Sequence, residues 1–449
     1  METPAGTRVV EHATCTFCGC VCDDIDLTVE GHRITKAKNA CVLGKAWFLE
    51  HQLDDTRPEA LVGGQPVTTA VAIEEAARVL AAARYPIVYG LSDTTVEAQR
   101  VAVEIADCLG ACLDTTTSVC HGPSGIAFQV VGEATCTLGE IKNRADMVIF
   151  WGGNPAESHP RHFTKYSVTP KGMYVPNGRK DRYVVLVDVR RTPSARAADL
   201  FLQVKPGKDF ELLWALRGLV KGVAIDPGIE AETGLALSTL EALVERMKRA
   251  RFGVFLFGMG LSMTRGKHYN AAAILALARD LNQFTRFLAK PMRGHGNVTG
   301  ADNVVSWSTG YPFGINLGRG YPRFNPGEFT TVDLLARGEA DAALIISADP
   351  AANFPQAAIE HLKRIPTVVL DPALSTTARI ARVAITTATY GINTAGTVYR
   401  MDDVPIRLRP ALPSRYPSDE DVLRALARRI RELRDAAAPV VAGAAHQAG

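Results

Sequence analysis

Four cysteines fall within eight positions of one another near the start of the chain, Cys15, Cys18, Cys20 and Cys22 in CTFCGCVCDD, and a fifth, Cys41, follows in KNACVLG. Cys15, Cys18 and Cys22 have C-x2-C-x3-C spacing, and clustered thiols in a reducing compartment bind metal or do catalysis more often than they form bridges. An iron–sulfur cube needs four thiolates converging from different directions; a tight loop supplies three, and Cys41 would be the distant fourth. Structural zinc is the alternative, but its four-cysteine ribbons pair two C-x-x-C knuckles, and no second knuckle follows Cys41. The spacing favours the cluster, leaves zinc open and gives Cys20 no place. Between the thiols, DIDLTVEGHRITKAKNA alternates as a hairpin turning at EGH, a small antiparallel lid for the metal.

A second group with chemical potential is Cys120 beside His121 in TTTSVCHGPSG. The thiolate can act as nucleophile or metal ligand while the imidazole moves protons. Taken alone, the pair reads more plainly as a packing cysteine beside a structural histidine. Cys108 and Cys112, where an apolar helix gives way to a strand, read as core.

These groups must be positioned by the elements around them. YPIVYGL (85–91), ADMVIFWG (145–152), YVVLVDV (183–189), FGVFLFGMG (252–260), ADAALIIS (340–347) and PTVVLD (366–371) read as buried strands. Residues 70–83, 209–220, 239–250 and 270–282 have helical spacing between them. Strands alternating with helices imply an α/β fold with largely parallel sheets, in which ligands collect beyond the carboxyl ends of the strands. The loops at those ends, WGGNPAESHPRH, DVRRTPSARAADL, FGMGLSMTRG and SADPAANFP, carry Gly, Asn, Asp, Ser or Pro where each strand stops. One such loop is ordinary turn chemistry. Several together suit a large, multiply charged ligand such as a nucleotide-bearing cofactor.

Length and charge narrow the remaining classes. The chain's 449 residues predict two or three domains, and 50 Lys and Arg against 47 Asp and Glu give a net charge of +3 without a basic stripe for nucleic acid. No apolar leader and no run of 18 apolar residues is found, so a cytoplasmic protein without a membrane span is expected.

The pieces CTFCGCVC…KNAC, SVCHGPS, NRADMVIFWGGNPAESHPRH, VDVRRTPSARAADLFLQVKPGKDFEL, PMRGHGNVTGADNV and GTVYRMDDVPIRL together resemble, in this order and over about residues 13 to 408, the B subunit of formylmethanofuran dehydrogenase. That family sits in the molybdopterin oxidoreductase superfamily with the formate dehydrogenases. The resemblance implies that Cys15, Cys18, Cys22 and Cys41 hold a [4Fe–4S] cluster, and that Cys120 binds molybdenum or tungsten carried by two pterin guanine dinucleotides. His121 and Arg293 would flank the metal, with Arg293 holding the carboxylate and His121, titrating near neutrality, passing the proton. Gly153, Asn154, Asp188, Arg190, Pro206, Gly207, Asp209, Gly258, Gly260 and Asp349 would cradle the dinucleotides. Without the resemblance, Arg293 reads as a salt bridge to a nearby carboxylate such as Asp302.

The implied organisation is an iron–sulfur β-domain over 1–56, a discontinuous α/β pterin-binding domain over 57–118 and 296–449, and a second over 119–295. The superfamily's C-terminal β-barrel has no room in this length and is expected as a separate D subunit, alongside an amidohydrolase-like A subunit and a C subunit. The substrates would be CO2, formate and formylmethanofuran. One departure is Asn393 in GINTAGTVYR, where superfamily members often carry Glu. Two other readings compete: the B subunit of a bacterial formyltransferase/hydrolase complex, acting mainly as a scaffold, and a zinc-stabilised nucleotide-binding protein.

Overall fold

The computed structural model describes residues 6–52 and 56–437; the first residues of the unit expected over 1–56, together with 53–55 and 438–449, lie outside the described part. Two large sheets dominate. One has five parallel strands in the order Leu200–Gln203, Tyr183–Asp188, Met147–Trp151, Phe252–Phe257, Arg286–Pro291. The other has nine, with a parallel centre running Cys112–Thr115, Pro86–Gly90, Ala342–Ile346, Thr367–Asp371, Val383–Thr386 and antiparallel strands at both edges. The central strands are apolar along their whole length, as burial on both faces requires.

Helices cover the sheets, four of them over the segments with helical spacing. Thr69–Ala82, Val96–Leu109 and Asp419–Ala437 pack on one face of the nine-stranded sheet through Ala76, Leu80, Ile105, Leu423 and Leu426. Asp209–Val220, Leu237–Arg249 and His268–Leu281 cover one face of the five-stranded sheet through Leu213, Val244 and Ile274. Among the described residues, no helix is long and apolar enough to cross a membrane.

The N-terminal segment forms a three-stranded antiparallel sheet, Thr7–Ala13, Ile25–Glu30 and Arg33–Lys38, the last two joined at Gly31 and His32 as the hairpin pattern predicts. Ile25, Leu27 and Ile34 point inward and share one core with Val148, Phe150 and Leu256 of the five-stranded sheet. Arg161 grips Asp24 in a two-pronged ion pair (2.6 and 2.7 Å), and Lys165 reaches Asp23 and Asp24, both at 2.9 Å. Burial raises the Asp24 carboxyl, but these cations outweigh it and hold it down at about 2. The cysteine loop is thereby fixed to the five-stranded sheet.

Candidate functional site

Each parallel sheet has a point where the chain, having wound outward one way, starts again the other way, and the loops on either side of it diverge. In the five-stranded sheet this lies between Met147–Trp151 and Phe252–Phe257. There the two following loops interlock: Gly258 N donates to the Trp151 carbonyl (2.9 Å) and Gly260 N to the Gly152 carbonyl (2.8 Å). A Cβ on Gly258 or Gly260 would stand 2.5 or 2.6 Å from the Gly152 oxygen. These two glycines are therefore required by loop-on-loop packing, whereas a Cβ on Gly153 would make only ordinary contact at 3.6 Å.

All the expected cradle residues except Asp349 follow carboxyl ends of the five-stranded sheet; Asp349 follows Ala342–Ile346 of the other. Several are already engaged. Asp188 Oδ1 accepts from Arg190 N (3.2 Å), Asn154 Oδ1 accepts from Ser194 (2.6 Å), and Asp209 Oδ1 accepts from Trp151 Nε1 (2.8 Å). The Asp349 carboxylate caps the helix Thr376–Ile380 through Thr376 N, Thr377 N and Thr377 Oγ1, and its carbonyl accepts from Ala352 N and Asn353 Nδ2. Gly207 has φ of 74° at the tight turn before Asp209. Buried polar atoms without partners gather in these same loops: Thr192 Oγ1, Asp209 Oδ2 and Ser262 Oγ. Unsatisfied groups at strand ends suit a polar ligand that supplies the missing bonds.

Cys120 and Arg293 come from different sheets and meet. Cys120 follows Cys112–Thr115 through the short helical turn Thr116–Val119, and Arg293 follows Arg286–Pro291. The Arg293 Nη2 donates to Thr117 Oγ1 (2.8 Å) and to Asp302, which also accepts from Thr115 (3.1 Å) and Thr117 (2.7 Å). The salt bridge to Asp302 foreseen as the plainer reading thus forms. It does not exhaust the guanidinium, because the buried Nε has no partner. Burial pushes the Cys120 thiol up, and the Arg293 charge opposes this.

His121 departs from its expected role. Its ring is fully buried, with Nδ1 3.1 Å from Ser124 Oγ and Nε2 3.2 Å from the Met292 carbonyl. The carbonyl can only accept, so Nε2 carries the proton and Nδ1 accepts from Ser124. Burial first, and the Arg293 charge second, hold the imidazole down to about 3. A ring locked neutral ties the Cys120 loop to the Arg293 loop; it does not titrate near neutrality.

The five N-terminal thiols, Cys20 among them, lie in one place. Cys15, Cys18, Cys20, Cys22 and Cys41 line a single cavity with Phe17 and Gly44. Cys15 N donates to the Cys22 carbonyl (2.8 Å), closing the loop, and Val21 inside it has φ of 36°, an uncommon conformation for a β-branched residue. A Cβ on Gly44 would lie 2.9 Å from Cys15 Sγ. Burial raises the thiols of Cys15 and Cys22, the latter to about 12; Cys18 is lowered by a hydrogen bond from Cys20, whose own thiol is raised by it. Among the described residues no three Cys, His, Asp or Glu side chains are grouped to hold one metal ion.

The two centres are joined directly. Gly19 N donates to the Gly294 carbonyl (3.2 Å), and His159 Nε2 lies 2.8 Å from the Arg293 carbonyl. A second link carries no signal in the sequence. The Tyr390 hydroxyl stands 2.8 Å from the Thr16 carbonyl and 3.0 Å from Asp93 Oδ1, and the other Asp93 oxygen pairs with His295 Nδ1 at 3.0 Å. His295 lies in PMRGHGN, but its partners are hundreds of positions distant. Gly296 sits beneath this network, where a Cβ would be 1.9 Å from the Thr16 carbonyl oxygen and 2.7 Å from the Tyr390 hydroxyl. Gly296→Ala is expected to pry the loops apart at a cost of about 3 kcal/mol, the upper end for overpacking, measured as a lowered thermal midpoint of the purified protein.

A larger open depression, about 1310 Å³, lies between Arg179, Tyr183 and Arg246 at the amino-terminal edge of the five-stranded sheet, remote from both centres. Asn393 holds the Thr389 turn and the Pro413 carbonyl, a structural use.

Fold and site together define a class: an α/β protein of the molybdopterin oxidoreductase type, with its thiol and arginine on loops that follow two different, largely parallel sheets. Two curated relatives make it particular. The chain is 44% identical over 434 residues to the B subunit of the tungsten-containing formylmethanofuran dehydrogenase 2 of Methanocaldococcus jannaschii, spanning 95% of this chain and 99% of that one. It is 41% identical to the corresponding protein of Methanococcus maripaludis, over 95% and 100%. The chain belongs to the family of formylmethanofuran dehydrogenase B subunits, a family of oxidoreductases. Among solved structures, the formyltransferase/hydrolase complex FhcABCD of Methylorubrum extorquens, with methylofuran, matches at TM-score 0.67 and 26% identity, over 83% of this chain and 99% of that one. Acetylene hydratase from Pelobacter acetylenicus shares the fold at TM-score 0.71 and 13% identity, over 95% and 70%. No family model matches the chain.

Proposed function

We propose that the chain interconverts CO2 and formate within a formylmethanofuran dehydrogenase complex, at tungsten or molybdenum bound by Cys120 and two pterin guanine dinucleotides, with a [4Fe–4S] cluster on Cys15, Cys18, Cys22 and Cys41. The single observation that carries this is the meeting of Cys120 and Arg293 between the sheets, on a loop bonded to the cysteine cavity. When bound, the pterin-held metal and the cluster supply the two-electron chemistry and its electron outlet. The protein supplies the rest. Arg293, fixed by Asp302 and Thr117, offers its free Nε–H to a carboxylate. Asp302 keeps that guanidinium in place, and His121 and Ser124 set the angle of the Cys120 loop. The strand-end loops, with Asn154, Asp188, Arg190, Pro206, Gly207, Asp209 and Asp349, receive the dinucleotides, while Gly258 and Gly260 keep two of those loops interlocked.

A separate barrel protein would cover the dinucleotides, and an amidohydrolase-like partner and a C subunit would complete the assembly, placing the work in the cytoplasm. The 26% identity to the Fhc B subunit of Methylorubrum extorquens, against 44% and 41%, weighs against the scaffold reading. Purifying the complex without oxygen, counting its iron, zinc, tungsten and molybdenum, and assaying viologen-linked formate oxidation tests the proposal. Iron with a group 6 metal and formate oxidation is the expected result; a complex with neither iron nor pterin would refute it.

A further inference from the structure

Arg293 and Asp302 line a cavity of about 310 Å³ together with Glu133, Lys290 and Asp403. On the proposed function, on which this inference rests, formate oxidation runs HCOO⁻ → CO2 + H⁺ + 2e⁻: the C–H bond breaks, two electrons pass to the acceptor and one proton must leave. Something near the cavity must take that proton. His121 has both ring nitrogens engaged, His159 is held by Ser158 and the Arg293 carbonyl, and His295 is paired with Asp93. Asp302 is filled by Arg293, Thr115 and Thr117, and Asp403 accepts from Asn303. Of the acids lining the cavity, Glu133, which follows the helix Gly122–Val131, is the one with a buried carboxyl oxygen that has no partner.

Its Oε1 is shut off from solvent and has no hydrogen-bond partner. A carboxyl oxygen held so is free to take or give a proton inside the cavity. Lys290, which lines the same cavity, is buried with its Nζ on the Met401 carbonyl (3.1 Å), and its charge acts on Glu133. We propose that Glu133 is the proton-holding group of this cavity, taking the proton released as formate is oxidised and returning it when CO2 is reduced. Burial raises its carboxyl to about 7; Lys290, Arg293 and Thr135 pull it down and Asp403 pushes it up. A group titrating there is protonated and deprotonated with little driving force either way, which suits a reversible reaction near neutral pH.

The sign is definite. Formate oxidation needs the carboxylate, so its rate should rise with pH through about 7 and level off above; CO2 reduction should fall over the same range. In the intact complex, Glu133→Gln should lower viologen-linked formate oxidation by about 10²-fold and remove that limb of the profile, with metal content and thermal midpoint unchanged. Glu133→Asp should restore part of the rate with the limb displaced. A readout independent of turnover is pH-difference infrared spectroscopy: wild type should show a protonated-carboxyl band titrating near neutrality, missing in Glu133→Gln. An active wild type with Glu133→Gln unchanged in rate and profile, or with no such band, overturns the assignment alone. A wild-type complex that holds the metals and does not oxidise formate overturns the proposed function and this assignment with it.

Discussion

Cys120→Ala should reduce viologen-linked formate oxidation to background, a loss on the order of 10³-fold or more, while leaving the iron content of the complex intact. The thiol stands in a mostly buried site where solvation disfavours its charged form and the nearby Arg293 guanidinium favours it. A bound group 6 metal would complete that charge balance, since soft thiolate ligation suits it. On the proposed function, removing the sulfur would take away the protein's own bond to the metal, and Cys120 is not among the residues that line the cysteine cavity. The expected signature is therefore split: tungsten or molybdenum lost, iron kept, activity gone, thermal midpoint little changed. Full activity in the variant would show Cys120 to be a packing residue beside a structural histidine, the plainer reading of its sequence.

Much of this site is legible without the fold. The strands and helices carry their periods clearly because both faces of each central strand, and one face of each helix, are buried. That Cys15, Cys18, Cys22 and Cys41 share one cavity is legible because their spacing is that of a ligand loop with a distant fourth thiol. What cannot be read is what depends on distant partners. Gly258 and Gly260 signal a turn in any sequence; that each serves a contact with Gly152, more than a hundred positions away, emerges only when the two strands lie side by side. His121 reads as titratable because a His-Cys pair says nothing about burial or about the Met292 carbonyl. The polar tail beyond RLRP carries no clear pattern, yet Asp419–Ala437 is a helix that buries Leu423, Leu426 and Ile430 against the nine-stranded sheet. Its apolar positions are separated by three and four residues, a period masked by the abundant arginines.

The same contrast between what a residue is and what it faces bears on Cys15, where core packing and ligation make different predictions. As a core residue, Cys15→Ala should cost about 1 kcal/mol, the transfer and cavity terms of one small buried group. As a cluster ligand, its loss should empty the site, because three thiolates do not complete a four-iron cube, and the free energy of metal binding that is coupled to folding goes with it. That coupling reaches roughly 10 kcal/mol in small structural zinc sites, and even a fraction of it exceeds the packing cost. Among the thiols left behind, Cys20 is raised by its bond with Cys18 and by burial, and Cys22 by burial, so neither supplies a thiolate readily. Thermal unfolding of wild type and Cys15→Ala, each with and without prior chelation of iron, separates the two. The variant should melt far below the loaded wild type and close to the chelated one, with its iron content and its reduced-cluster paramagnetic signal both near zero. An equal, small decrement in both conditions would instead make Cys15 a core residue, and the cluster assignment would fall with it.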